Sequence, residues 1–149
     1  MSIYKSRLLL DEPNKKKYTF LSKGPKGSIR RVVELERYEE TDIFNVLLVD
    51  EIAGNRMHDT DMTGNSDAVK VISTVVRIIE KFFTDFPENA VFISGNTPIK
   101  KLMYQRKVYV MDKNKYVLLA NRKDDQPFLP IQRPVNTGAV YNAFLVLLV

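Results

Sequence analysis

The sequence has no cysteine, no tryptophan and a single histidine, His58. Without cysteine there are no disulfides, thiolate nucleophiles, iron–sulfur clusters or cysteine-based zinc sites. One histidine excludes a His-pair metal motif and the HExxH helix. Long apolar runs are also missing. Leu8-Leu9-Leu10 is short, and the apolar stretch Ala143–Val149 is far below a span. A secretory signal needs roughly 7–15 apolar residues and a cleavage site, and a transmembrane helix needs about 18 or more. The sequence therefore predicts no membrane segment and a cytoplasmic or virion-interior location.

What is present is a chain of 149 residues, 44% apolar and 28% charged. That composition predicts one globular domain over residues 1–149 rather than a disordered chain. The formal net charge is +5, and it is unevenly spread. Residues 1–37 carry ten Lys/Arg against four Asp/Glu, residues 38–69 one against eight, and residues 70–149 twelve against six. Basic ends around an acidic middle suggest a polyanionic partner such as nucleic acid. A solvated, lysine-rich surface explains the same numbers.

Local patterns divide the chain into a β-meander (1–50), an αβαβ core (63–122) and a C-terminal loop and strand (123–149). Tyr18 to Lys23 and Ser28 to Arg37 flank the turn signal Gly24-Pro25-Lys26-Gly27 and predict a hairpin. Phe44 to Val49 holds the continuous apolar run Val46-Leu47-Leu48-Val49, which predicts a strand buried on both faces. Glu51 to Gly64 reads as a polar loop. Positions 68, 72, 75, 79, 82 and 86 are apolar and share one helical face, so a central helix is expected over 66–86. Asn65 or Ser66 suits its cap, and Asp67 suits the positive end of its dipole. Ala90 to Ser94 predicts a short buried strand. Thr97-Pro98 opens a second helix running to about Asp112, although Val108 and Val110 also fit a hairpin. Tyr116 to Ala120 and Tyr141 to Val149 are the remaining strands, separated by a proline-bearing loop over 124–134. The order β-β-β-α-β-α-β-loop-β is an α+β arrangement with a mixed, mainly antiparallel sheet and two main helices.

Two loop-to-helix junctions stand out. Thr63-Gly64-Asn65-Ser66-Asp67 is one; Ser94-Gly95-Asn96-Thr97-Pro98, followed by Lys100, Lys101, Tyr104 and Arg106, is the other. A strand, a glycine turn and a helix start present free backbone N–H groups, which suit anions. Neither junction carries a Walker loop or a full GxGxxG, and ordinary capping explains both. Asp50, Glu51, Asp59 and Asp61 supply oxygen ligands in principle, but their spacing fits no EF-hand. No metal site is predicted.

From Thr63 onward the residues resemble a set of small bacterial and bacteriophage proteins of unknown function. The resemblance rests on Gly64-Asn65-Ser66-Asp67-Ala68-Val69-Lys70-Val71-Ile72-Ser73-Thr74-Val75, on Phe92-Ile93-Ser94-Gly95-Asn96-Thr97 and on Lys101-Leu102-Met103-Tyr104. Phe20 to Gly24 and Gly27 to Val33 also fit it. More distantly, the order strand, turn, long helix, strand, Asn96…Tyr104 is similar to the core of the GNAT acyltransferases. That resemblance implies acyl-CoA as cofactor, held by Gly64, Asn65, Ser66 and Asn96, with Tyr104 as general acid toward the thiolate. The family's Gln/Arg-x-x-Gly-x-Gly/Ala turn is absent here. The sequence thus leaves three readings. One is a divergent or degenerate acyl-CoA-binding protein. The second is a non-enzymatic module that binds nucleic acid or protein through its basic ends. The third is a small basic RNase using Lys100, Tyr104 and Arg106, with Lys101 beside them, on phosphate.

Overall fold

A computed structural model describes residues 3–25, 27–52, 55–58, 67–95, 98–131 and 141–149. The strands are β1 (Arg7–Glu12), β2 (Lys15–Gly24), β3 (Gly27–Arg37), β4 (Ile43–Ile52), β5 (Asn55–His58), β6 (Ala90–Ser94), β7 (Tyr116–Asn121), β8 (Leu129–Pro130) and β9 (Ala143–Leu148). The helices are α1 (Ala68–Asp85) and α2 (Pro98–Val108). The strands form one sheet in the order β1-β2-β3-β4-β6-β9-β7-β8, with β5 paired to β4. Of the described pairs only β4–β6 is parallel. The fold is thus the expected mixed α+β arrangement with two helices.

The hairpin forms as its sequence predicts. Gly24 pairs with Gly27, and Gly27 takes φ 86°, a value glycine adopts without steric cost. Alternation then puts Tyr18 and Phe20 on the core face with their neighbours Val33 and Leu35. Helix α1 lies in that core. It buries Val71, Ile72, Val75, Val76, Ile78, Ile79, Phe82 and Phe83, more than one narrow stripe. Its buried hydroxyls are satisfied locally: Ser73 Oγ donates to the Val69 carbonyl at 2.8 Å, and Thr74 Oγ1 to that of Lys70 at 2.7 Å. Phe82 meets Phe44 and Phe86, each at 5.1 Å between ring centres. Each such side chain stabilises the fold by about 1.5–3 kcal/mol on burial.

Several expectations are corrected. The run in β4 is not buried on both faces throughout: Leu47 is 40% exposed, while Phe44 and Leu48 point into the core. The polar stretch from Glu51 is not all loop. Strand β4 runs on to Ile52 and turns back through β5, with Val49 opposite His58. Helix α2 stops at Val108 rather than near Asp112, and residues 109–115 form neither helix nor strand. Asp112 ends this stretch, since its carboxylate accepts the Asn114 N–H at 2.9 Å and its carbonyl those of Lys115 and Tyr116. Strand β8 lies within the proline-bearing loop, and β1 forms where no strand was predicted.

Candidate anion-binding groove

The N-terminal strand leaves the sheet early. β1 pairs with β2 only as far as Arg7 opposite Thr19, and residues 3–6 then cross onto α1. The Tyr4 N–H donates to Thr74 Oγ1 at 2.9 Å, and Lys81 Nζ donates to Ser6 Oγ at 3.1 Å. The Tyr4 hydroxyl donates to Asp67 at 2.6 Å and accepts the Lys23 N–H at 3.1 Å. Ser22 Oγ also donates to Asp67, and the Arg31 guanidinium lies 3.9 Å from the same carboxylate. Phe20 stacks on the Tyr4 ring at 5.6 Å, and the Lys70 ammonium sits 4.2 Å from that ring's centre. Burial, then the bond to Asp67, raises the Tyr4 pKa above its ordinary value.

Where the arm parts from β2 a groove opens, with a cavity of about 510 Å³. Tyr4, Lys5, Ser6 and Arg7 form one wall; Thr19, Phe20, Leu21, Lys23 and Arg30 form the other. Four of these nine residues are cationic and none is acidic. Lys5, Arg7 and Lys23 are exposed and form no ion pair among the described residues. The groove therefore concentrates positive charge in a partly enclosed space, where field lines focus. A second cavity, about 300 Å³, lies between α1 and the end of α2 and is lined by Ile3, Val76, Arg77, Glu80, Val110 and Met111 among others.

The predicted residues of α2 are arranged differently. Lys100 and Tyr104 are 6% and 5% exposed, and Tyr104 belongs to the hydrophobic core. Lys101 Nζ donates to Asn142 Oδ1 at 2.7 Å, and the Tyr141 N–H donates to Gln105 Oε1 at 2.9 Å. These bonds tie the helix to the chain entering β9. Arg106 is exposed, so it does not share the buried side of α2 with Lys100 and Tyr104. Gly64, Asn65, Ser66 and Asn96 lie outside the described residues, as do Asp59 and Asp61. At the start of α1 the cap position is Asp67, whose side chain makes no capping bond because it faces Tyr4 and Ser22. The parallel strands β4 and β6 pair only from Ile43–Ala90 to Asn45–Phe92. Beyond that point β4 pairs with β5, and neither cavity above is lined by β4 or β6.

Sequence reasoning noted the basic N-terminal third but not the arm. Lys5 and Arg7 carry charge any reader counts. That they face Lys23 and Arg30 follows from the Tyr4–Asp67 contact, which joins residues 63 positions apart.

An α+β protein built on this mixed sheet is the class the geometry defines. The chain belongs to DUF6934, a family of unknown function, whose model matches residues 3–148. No curated protein and no solved structure matches it. No helix among the described residues is long and apolar enough to cross a membrane.

Proposed function

We propose that the protein is a binding module for nucleic acid, gripping phosphate through the groove between the N-terminal arm and the β2–β3 hairpin. One observation carries this reading: Lys5, Arg7, Lys23 and Arg30 line a single cavity, and none of its described lining residues is acidic. Phosphates are the anions that repay such clustering, because each contact releases a condensed counterion. The side chains described in the groove's lining are mainly cationic and hydroxyl-bearing, which suits holding phosphate oxygens, so binding is the role it supports. The acyl-CoA reading comes from the GNAT resemblance; the early parting of β4 and β6 favours it, but neither described cavity lies between those strands, and its ligand also carries phosphate.

A thermal-shift titration separates the two. Duplex and single-stranded DNA, RNA and acetyl-CoA are titrated in parallel at low salt. Saturable stabilisation by a nucleic acid, lost in Lys5→Gln/Lys23→Gln, supports the module. Stabilisation by acetyl-CoA alone replaces it with the acyl-CoA reading.

A further inference from the structure

We infer that the groove takes the sugar–phosphate backbone of a duplex, and reads neither unpaired bases nor base sequence. This rests on the nucleic-acid reading above and names its substrate class. Proteins that hold single strands without sequence preference offer aromatic faces on which bases stack. The groove has two aromatic residues, and neither is a platform. Phe20 is 3% exposed, and the Tyr4 ring is packed by Phe20 and by the Lys70 ammonium.

Shape argues against base reading in a duplex. Base edges lie at the floor of a groove and are reached by a helix or β-ribbon that projects into it. The cations here line a recess instead, with Lys5 and Arg7 on one wall and Lys23 on the other. A recess accepts a ridge, and the ridge of a duplex is its phosphate backbone. Among the described lining residues the cations are the groups able to contact guanine, and on the walls of a recess they meet the phosphate ridge before any base edge. Lys5 and Arg7 lie two residues apart on the same wall, so they meet different points along one strand. Leu21, half exposed beside them, offers an apolar surface for a sugar.

Three exposed cations set the expected salt dependence. Neutralising three phosphates of a duplex gives a slope of log K against log salt of about −2.7, or roughly 40-fold weaker binding from about 50 to 200 mM salt. The test is fluorescence anisotropy with the full chain and four labelled probes of equal length: two DNA duplexes of unrelated sequence, a duplex RNA and an oligo-dT single strand. The expected result is that both DNA duplexes bind within about twofold of each other and the single strand about tenfold more weakly, with the slope given above. Lys5→Gln and Lys23→Gln should each reduce the slope by about 0.9, while Lys113→Gln, outside the groove, leaves it unchanged. These side chains are exposed, so melting temperatures should not move. Equal or tighter binding of oligo-dT, or a tenfold preference between the DNA duplexes, overturns this inference and leaves the nucleic-acid reading standing. A slope that responds to Lys113→Gln as strongly as to Lys5→Gln overturns the groove as the site. Absence of saturable binding to all four probes overturns both readings.

Discussion

Asp67 sits at the start of α1 yet spends its carboxylate elsewhere. Its side chain is 10% exposed and accepts from the Tyr4 and Ser22 hydroxyls, with Arg31 at 3.9 Å. The bond from Tyr4 fixes the arm that makes one wall of the groove. Tyr4→Phe removes a charge-assisted bond and keeps the ring, so a loss of about 1–2 kcal/mol is expected in urea unfolding. Asp67→Ala removes the acceptor shared by the Tyr4 and Ser22 hydroxyls and the carboxylate beside Arg31, so it should cost more than Tyr4→Phe, about 3 kcal/mol. Equal, negligible shifts for both variants mean the arm is held by ring packing alone. Tyrosine ionisation gives a second test. Burial pushes Tyr18 and Tyr109 up to about 12, from an ordinary value of 10.0. Between those values the unfolded chain has released protons that the folded chain keeps. Stability is therefore full below pH 10 and falls as pH rises toward 12. Urea midpoints measured across that range should decline steadily, and tyrosinate absorbance should show late-titrating groups, Tyr18 and Tyr109 latest among them; a flat profile contradicts the assignment.

Elements were legible in the sequence where their cause is local. The β2–β3 hairpin follows from Gly24, Gly27 and alternation, and α1 from its apolar spacing. Strand β1 follows from neither. Leu8 and Leu9 are exposed in it, the register slips between Leu8 and Leu10, and only its pairing with β2 makes it a strand. The same holds for Asn55–His58, a tetrapeptide with no apolar alternation to mark a buried face, which becomes β5 by pairing with β4. Of the site residues, the charges of Lys5, Arg7 and Lys23 were visible, and the arm that gathers them was not. Gly95 shows a residue whose pattern suggests one reason and whose surroundings give another. Its place before α2 suggests an anion-binding turn, but its geometry points to packing: an added Cβ would lie 2.5 Å from Lys101 N and 2.8 Å from the Lys100 carbonyl carbon. Those are backbone atoms, which cannot swing aside. Gly95→Ala should therefore destabilise by about 1–3 kcal/mol, read as a lowered melting temperature. An unchanged melting temperature would show that the turn relaxes freely.

Across the whole molecule, sequence order and sheet order disagree most at β9. It is the last strand in the chain and lies between β6 and β7. Its residues pair on both sides: Val146 faces Val91 of β6 and Leu118 of β7, and Phe144 faces Ile93 and Ala120. Both side chains are fully buried. Among the described pairings, β7 and β8 reach the rest of the sheet only through β9. Early strands form by local hairpins, whereas this join closes a long loop and is favourable only once the flanking strands are present. The sheet is therefore expected to unfold in one step, with no stable intermediate lacking β9. Phe144→Ala tests this with the chain length unchanged. Removing the ring should cost about 3–5 kcal/mol, and circular dichroism and tyrosine fluorescence should report the same lowered midpoint. Hydrogen exchange should place the amides of β9 beside those of β3 among the slowest. If β9 amides exchange early while β2 and β3 stay protected, the sheet is two cooperative units, and β6–β9–β7–β8 melts apart from the half that carries the groove.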